Sequence, residues 1–388
     1  MDFALTEEQR QVQALARRFA REVIAPAAAE CDRTARFPHA IVEEARTLGL
    51  VNLLLPASCG GTGATPVELV IVAEELAWAC TGIAAAILLN NLVADALTLA
   101  GTEAQKRAYG ARLATGLGAY ALTEPHAGSD VAAIRTRAVR RGRGWVLRGR
   151  KTWISHAPEA DFFVVFAKTD PDAGYRGISA FLVDRHRPGV SVSPPLPKMG
   201  QRASSAAEVV FDDVELAPDA LLGEEGSGFR LAMRVFDRSR PMVGALGVGL
   251  AQRALDEALA YAAEREAFGQ KLLAFQGVGF KLAEMGMRTE AARLLVRQAA
   301  WKAAAGAPNT LEAAYAKTFA ADTAMWAAVE AVQVFGAYGY SAEFPVEKLM
   351  RDAKVLQIYE GTNEIQRTIM VRELARRVGA THASGKER

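Results

Sequence analysis

Apolar residues recur at helical spacing through long stretches of the C-terminal part of the chain, and this limits the fold more than any other feature. Residues 245–263 are rich in Ala and Leu with regularly placed charges, and residues 277–305 and 310–335 are two further long helical segments. A fourth, 364–378, closes the set. Helices of this length must bury an apolar stripe. Because they are joined mostly by short loops, neighbours run antiparallel, and a four-helix bundle is predicted. The polar tail from Thr381 to Arg388 is expected to fray.

The opening part is helical too. Thr6 to Gln9 matches a capping box, and Val12, Leu15, Phe19 and Val23 follow at helical spacing. Pro38 can start a second helix, which Gly49 would end. Gly60, Gly61 and Gly63 mark a loop before Thr65-Pro66 opens the apolar stretch 67–76, and Thr102 to Gln105 offers another capping box. Near Tyr120 the period changes. Residues 134–137 alternate, Gly142-Arg143-Gly144 turns before Trp145-Val146-Leu147, and 162–167, 178–183 and 208–211 read as further strands around a Pro-rich loop at 188–197. The fold class is therefore α+β: an N-terminal helical domain over 1–118, a middle β-domain over 119–224 and a C-terminal helical bundle over 225–388. No internal repeat or low-complexity segment interrupts it.

Composition excludes several functions. A net charge of +2 gives no general affinity for nucleic acid. The arginines between Arg135 and Arg150 read first as a solvated strand face, and second as an attraction for phosphates. Cys31, Cys59 and Cys80 have neither metal-ligand nor disulfide spacing, which fits incidental thiols in a reducing compartment. Scattered histidines and the lack of an HExxH argue against a metal site. The N-terminus is acidic, with no apolar signal core, so the protein is expected to be cytoplasmic. The longest apolar region, 83–99, is interrupted by Asn90, Asn91 and Asp95, which argues against a membrane span.

Two segments carry the chemistry. The first is Ile358-Tyr359-Glu360-Gly361-Thr362-Asn363-Glu364-Ile365-Gln366-Arg367, where a carboxylate precedes a glycine that lets a ligand approach the backbone. Its plainer reading is a carboxylate near a helix start, favoured by the helix dipole. The second runs from Tyr120 to Asp130 and contains Thr123-Glu124-Pro125 and Gly128-Ser129, a tight loop rich in hydrogen-bonding groups. Together, and in this order, they resemble the acyl-CoA dehydrogenase family, and the resemblance extends over nearly the whole chain.

The resemblance implies an FAD-dependent oxidation of a fatty acyl-CoA to the trans-2-enoyl-CoA, with Glu360 as the base. It implies that Tyr120, Leu122, Thr123, Gly128 and Ser129 follow the flavin, Ser129 also toward the CoA, that Trp153 lies over it, that Ile154 contacts it, and that Ser155 reaches its pyrimidine or phosphate side. Arg265 and Phe268 belong to a motif of the form R-x-x-F-G. With Gln276, Gln333, Val334 and Gly336 they are implied to reach the FAD of a neighbouring subunit in a homotetramer, a dimer of dimers. Ala337 stands where the family carries a second glycine. Thr362, Asn363 and Glu364 are implied FAD contacts, and Asp237, Arg240, Gly361 and Arg372 implied substrate contacts. The position matching His126 varies in the family and carries no role.

By the same resemblance, the Glu360 N–H and a flavin ribityl hydroxyl hold the thioester oxygen, and electrons pass to an electron-transfer flavoprotein. Ser239 occupies the position at which a subset of the family carries its base, so the chain resembles the straight-chain, short- or medium-chain branch. The apolar region 83–92, without arginine, points to a tail with no charge at its far end. An acyl-CoA oxidase and a non-catalytic flavin-binding interaction protein are the alternatives. The first would use oxygen, and the second is expected to lack the base.

Overall fold

The computed structural model describes residues 4–379; the tail from Thr381 to Arg388 lies outside them. The N-terminal block contains α1 (Glu7–Phe19), α2 (Ala25–Thr34), α3 (His39–Thr47), α4 (Pro66–Ala79), α5 (Thr81–Leu88), α6 (Asn90–Ala100) and α7 (Glu103–Thr115). Both expected capping boxes form, Thr6 with Gln9 and Thr102 with Gln105, and a third, Thr65 with Glu68, starts α4. The first helix runs further than its apolar spacing suggested. It continues through a π-helical turn at Ala20–Ile24 into α2, where a proline in the first turn needs no N–H partner.

Next come β1 (Gly118–Ala121), β2 (Arg137–Arg141), β3 (Gly144–Ser155), β4 (Phe162–Lys168), β5 (Ile178–Asp184), β6 (Val190–Val192), β7 (Ala206–Leu216) and β8 (Leu221–Leu222). They form one eight-stranded sheet in the order β6-β7-β3-β2-β4-β5-β8, with β1 parallel to β4. The strand expected over 134–137 begins only at Arg137. The Arg135 and Thr136 amides donate instead to the Glu124 carboxylate, at 2.6 and 3.0 Å. β4 is buried on both faces: Phe162, Val164 and Phe166 join the helical core, and Phe163, Val165 and Ala167 join a second core inside the β-layer. This explains its unbroken apolar run.

The C-terminal block contains α8 (Gly228–Glu264), a hairpin of β9 (Glu266–Ala267) and β10 (Gln270–Lys271), then α9 (Gln276–Ala304), α10 (Thr310–Phe335), α11 (Pro345–Leu356) and α12 (Asn363–Arg377). The four expected helices are joined by α11, which the sequence pattern had not marked. α8 runs backbone to backbone against α4: a Cβ at Gly249 would lie 2.2 Å from the Glu74 carbonyl oxygen. The stretch Thr81–Ala100 is long and apolar enough to cross a membrane by composition, but 83% of its window is buried inside the protein as α5 and α6.

Candidate active site

The reversal from α11 into α12 creates the site. Thr362 caps α12 by accepting from the Ile365 amide at 3.3 Å, so only a few residues remain to turn the chain. Glu360 and Gly361 make the turn at positive φ, 54° and 89°. A glycine suits the second position, where a Cβ would also sit 2.6 Å from Gln366 Nε2. A glutamate in the left-handed region is strained and persists only where its surroundings over-determine it. Here Gln366 Nε2 donates to the carbonyls of Glu360 and Gly361, both at 3.2 Å. Lys317 Nζ donates to the Gly361 carbonyl at 2.9 Å, and Arg240 Nε to the Glu360 carbonyl at 3.4 Å.

α8 supplies the opposite wall because of a proline. Pro241 lies inside this helix and has no N–H for the carbonyl of Asp237 one turn earlier. Asn309 Nδ2 takes over that carbonyl at 2.8 Å. Ser239 and Arg240, just before the proline, are both buried and face the Glu360 turn. Ser239 Oγ donates to Glu360 Oε2, while Oε1 is buried without a partner among the described residues. Burial pushes the Glu360 carboxyl up to about 7, against the lowering effects of the Ser239 hydrogen bond and the Arg240 and Lys317 charges. The Glu360 amide N–H donates to no backbone group among the described residues.

Two further groups border this carboxylate. Tyr120 packs its ring on Phe166 and Phe236, at 4.9 and 5.9 Å between centroids, and its buried hydroxyl has no partner among the described residues. Asp95 of α6 is buried and pairs with Arg238 Nε at 2.7 Å; burial pushes its carboxyl up to about 6. An arginine from α8 thus reaches the apolar α5–α6 wall, which has none of its own. Arg240 Nη1 also meets Asp237 Oδ1 at 3.1 Å, and Asp237 is held by Thr310 at 2.7 Å. Arg372 is near enough for its charge to act on both. The implied CoA contacts Asp237, Arg240, Gly361 and Arg372 therefore cluster beside Glu360.

The implied flavin residues fall into two groups. In the first, β3 shifts register against β7 between Lys151 and Ile154, which pushes Trp153 out at φ 59° with 58% of its surface exposed. The Thr152 amide donates to the Thr123 carbonyl at 2.9 Å, so this indole borders the Tyr120–Asp130 loop. Gly128 and Ser129 are exposed, with open space where a Gly128 side chain would go. A free aromatic plane beside a loop of open polar groups fits a planar, phosphate-bearing cofactor. The Ile154 side chain is buried in the β-layer core, leaving its backbone for any contact, and Ser155 is half-buried. Asn363 is buried and held by Lys317 and Asp322, while Glu364 is exposed on the first turn of α12.

The second group belongs to the C-terminal helical block. Arg265 sits over Tyr338 at 5.7 Å, Phe268 at the hairpin tip is 96% exposed, and Gln276, Gln333 and Gly336 are exposed; Val334 is buried.

Sequence reasoning missed what holds the flavin-side loop. Lys151 is fully buried, and its Nζ donates to the Leu122 carbonyl and to Glu124 Oε1, both at 2.8 Å. Glu124 in turn receives the amides of Arg135 and Thr136. It also missed Lys317, whose signal was a lone charge among Ala313, Ala314, Ala316, Ala320 and Ala321.

Family models match the chain in order: the acyl-CoA dehydrogenase N-terminal domain over residues 6–117, the middle domain over 119–214 and the C-terminal domain over 226–375. The chain belongs to the acyl-CoA dehydrogenase family and is an FAD-dependent enzyme. A probable acyl-CoA dehydrogenase of Mycobacterium leprae, FadE25, is 42% identical over 377 residues, covering 96% of this chain and 97% of its own. Butyryl-CoA dehydrogenase from Megasphaera elsdenii superposes with a TM-score of 0.94 at 40% identity, over 96% of this chain and all of the other. A chain in a structure described as the electron transferring flavoprotein of Acidaminococcus fermentans superposes at 0.93 with 39% identity, over 97% of this chain and all of that one.

Proposed function

We propose that this enzyme oxidises a straight, saturated acyl-CoA of short to medium length to the trans-2-enoyl-CoA, with Glu360 as the base. The observation that carries the reading is the Glu360 carboxylate itself. One oxygen is buried without a partner among the described residues, burial pushes the carboxyl up to about 7, and the side chain at the alternative position, Ser239, cannot accept the α-proton. A base works best with a pKa near the working pH.

The division of labour follows from the site. Arg240, Asp237 and Arg372 hold the CoA end, and the apolar α5–α6 wall takes the tail. The Glu360 amide N–H holds the thioester oxygen, where negative charge develops as the α-proton leaves. Glu360 takes that proton. When bound, FAD supplies the acceptor for the β-hydride. Trp153 and the Tyr120–Asp130 loop hold the cofactor and keep water from its face.

The electron acceptor in this reading is an electron-transfer flavoprotein. The structural likeness to the Acidaminococcus fermentans chain supports it. A homotetramer, a dimer of dimers, also belongs to the reading. Arg265, Phe268, Gln276, Gln333 and Gly336 are exposed on the C-terminal helical block, whereas Trp153 stands on β3. Phe280, Met287, Leu294 and Trp301 recur every seven residues along α9 and are all exposed, a stripe suited to another copy of the chain.

Anaerobic mixing with butanoyl-CoA tests the base. The parent should bleach its flavin, and Glu360→Gln should keep FAD and fold while bleaching roughly 100- to 10,000-fold more slowly. Near-parental bleaching by the variant would assign the proton to another residue.

A further inference from the structure

Lys317 is a buried cation for which the proposed reaction has no direct use. It lies on α10 among buried alanines, with none of its surface exposed. No carboxylate among the described residues forms a salt bridge with it, although an unpaired buried charge is costly. Its hydrogen bonds go instead to the Gly361 carbonyl and to Asn363 Oδ1, each at 2.9 Å. Asn363 cannot rotate away, because its amide nitrogen donates to Asp322 Oδ1 at 2.7 Å and to the Thr318 carbonyl at 3.4 Å.

We propose that Lys317 is a positioning residue: its ammonium clamps the Glu360–Gly361 turn from α10 and supplies positive charge facing the Glu360 carboxylate. The proposal rests on Glu360 being the base. Two residues at positive φ form a turn that needs fixing, and Lys317 binds the carbonyl of one of them and the first helical residue beyond it. Arg240 does the matching task from α8 on the Glu360 carbonyl. The turn is thus held from two helices distant in sequence, and both contacts are made by cations.

The electrostatics agree. Burial brings the Lys317 ammonium down to about 8, and Glu360 is the largest charge acting the other way. Arg240 lowers it further, while Asp322 and Glu364 raise it. Around Glu360, Ser239 and Arg240 of α8 and Lys317 favour the ionised form, and Asp95 of α6 opposes it. Tyr120 of β1 and Tyr359 face the same carboxylate; burial raises both phenols, and its charge adds to the rise. Lys317 is one of two cations in this set, so removing its charge should be felt by Glu360.

The test uses the FAD-loaded enzyme with Lys317→Gln, which removes the charge and keeps a donor, and Lys317→Met, which removes both. The readout is the pH dependence of anaerobic flavin reduction. Both variants should shift the acidic midpoint toward alkaline pH by about one unit or more, a roughly tenfold loss of rate on the acidic side. KM for butanoyl-CoA should change less than about twofold, and Lys317→Met should also lower the alkaline plateau as the turn loosens. A midpoint equal to the parent's in Lys317→Gln overturns the proposal, even where Lys317→Met fails to fold. A thermal double-mutant cycle with Glu360→Gln gives a readout independent of turnover. Lys317→Gln should destabilise the parent more than it destabilises Glu360→Gln, and equal losses refute the coupling. If Glu360→Gln alone keeps turning over, the base assignment fails first and the proposal falls with it; if it is inactive and the Lys317→Gln midpoint is unmoved, only the Lys317 proposal fails.

Discussion

Replacing Glu360 with glutamine should make the enzyme more stable above neutral pH while stopping its turnover. A carboxyl ordinarily titrates near 4.5, and burial raises this one to about 7 in the folded protein. The folded state therefore holds the proton more tightly than the unfolded chain. The stability from this group is complete below about pH 4.5 and is lost as pH rises through about 7. The gap of roughly 2.5 units, at about 1.4 kcal/mol each, means that ionising Glu360 costs about 3.5 kcal/mol. Glutamine mimics the protonated form in shape and stays neutral. At about pH 8.5 the variant should gain most of that energy, and near pH 4 the two proteins should converge. Thermal unfolding of both holoenzymes across this range measures the difference. A variant no more stable than the parent at the alkaline end, or one with the same advantage at every pH, would refute the claim that an ionised, desolvated Glu360 is costly.

Lys151→Met should strand Glu124 without its buried cation, costing roughly 3–5 kcal/mol and loosening the Leu122–Thr123 loop; unchanged unfolding and FAD retention would show that the pair is dispensable. Arg265→Ala should weaken FAD retention on dilution without moving the pH profile, and full retention would argue for a surface role. Efficiency with butanoyl-, octanoyl- and palmitoyl-CoA should rise roughly fourfold per buried methylene, at about 0.8 kcal/mol each, until the α5–α6 wall is filled, then level or fall. A clear preference for isovaleryl- or glutaryl-CoA would overturn the straight-chain assignment. Arg238, already engaged by Asp95, is the arginine to test in that event.

The fold was legible wherever local chemistry decided it. Thr6–Gln9 and Thr102–Gln105 cap helices because the capping box is complete within a few residues. The run 162–167 is a strand because both sides of it are covered. Two of the departures share a cause, which is that a partner elsewhere in the chain decided the outcome. β2 starts late because Glu124 takes the amides of Arg135 and Thr136. Pro241 sits inside α8 because Asn309 accepts the duty of the missing N–H toward Asp237.

The same division runs through the site. Glu360, Gly361 and Thr362 stand together in sequence and name a base on a turn. What sets its behaviour comes from elsewhere: Ser239 and Arg240 from α8, Lys317 from α10 and Asp95 from α6. Burial alone would leave a carboxylate too reluctant to ionise near neutral pH, and full pairing with a cation would make it too weak a base. One hydroxyl on the carboxylate, and two cations bonded to the turn's carbonyls rather than to the carboxylate, provide the intermediate case. Because those cations grip the backbone and not the carboxylate, Glu360 can swing its free oxygen toward a substrate without breaking the bonds that hold the turn. The same two cations thus fix the turn and bias the charge of its carboxylate, and this is why the motif names the candidate base while the helices around it set the pH at which that base would act.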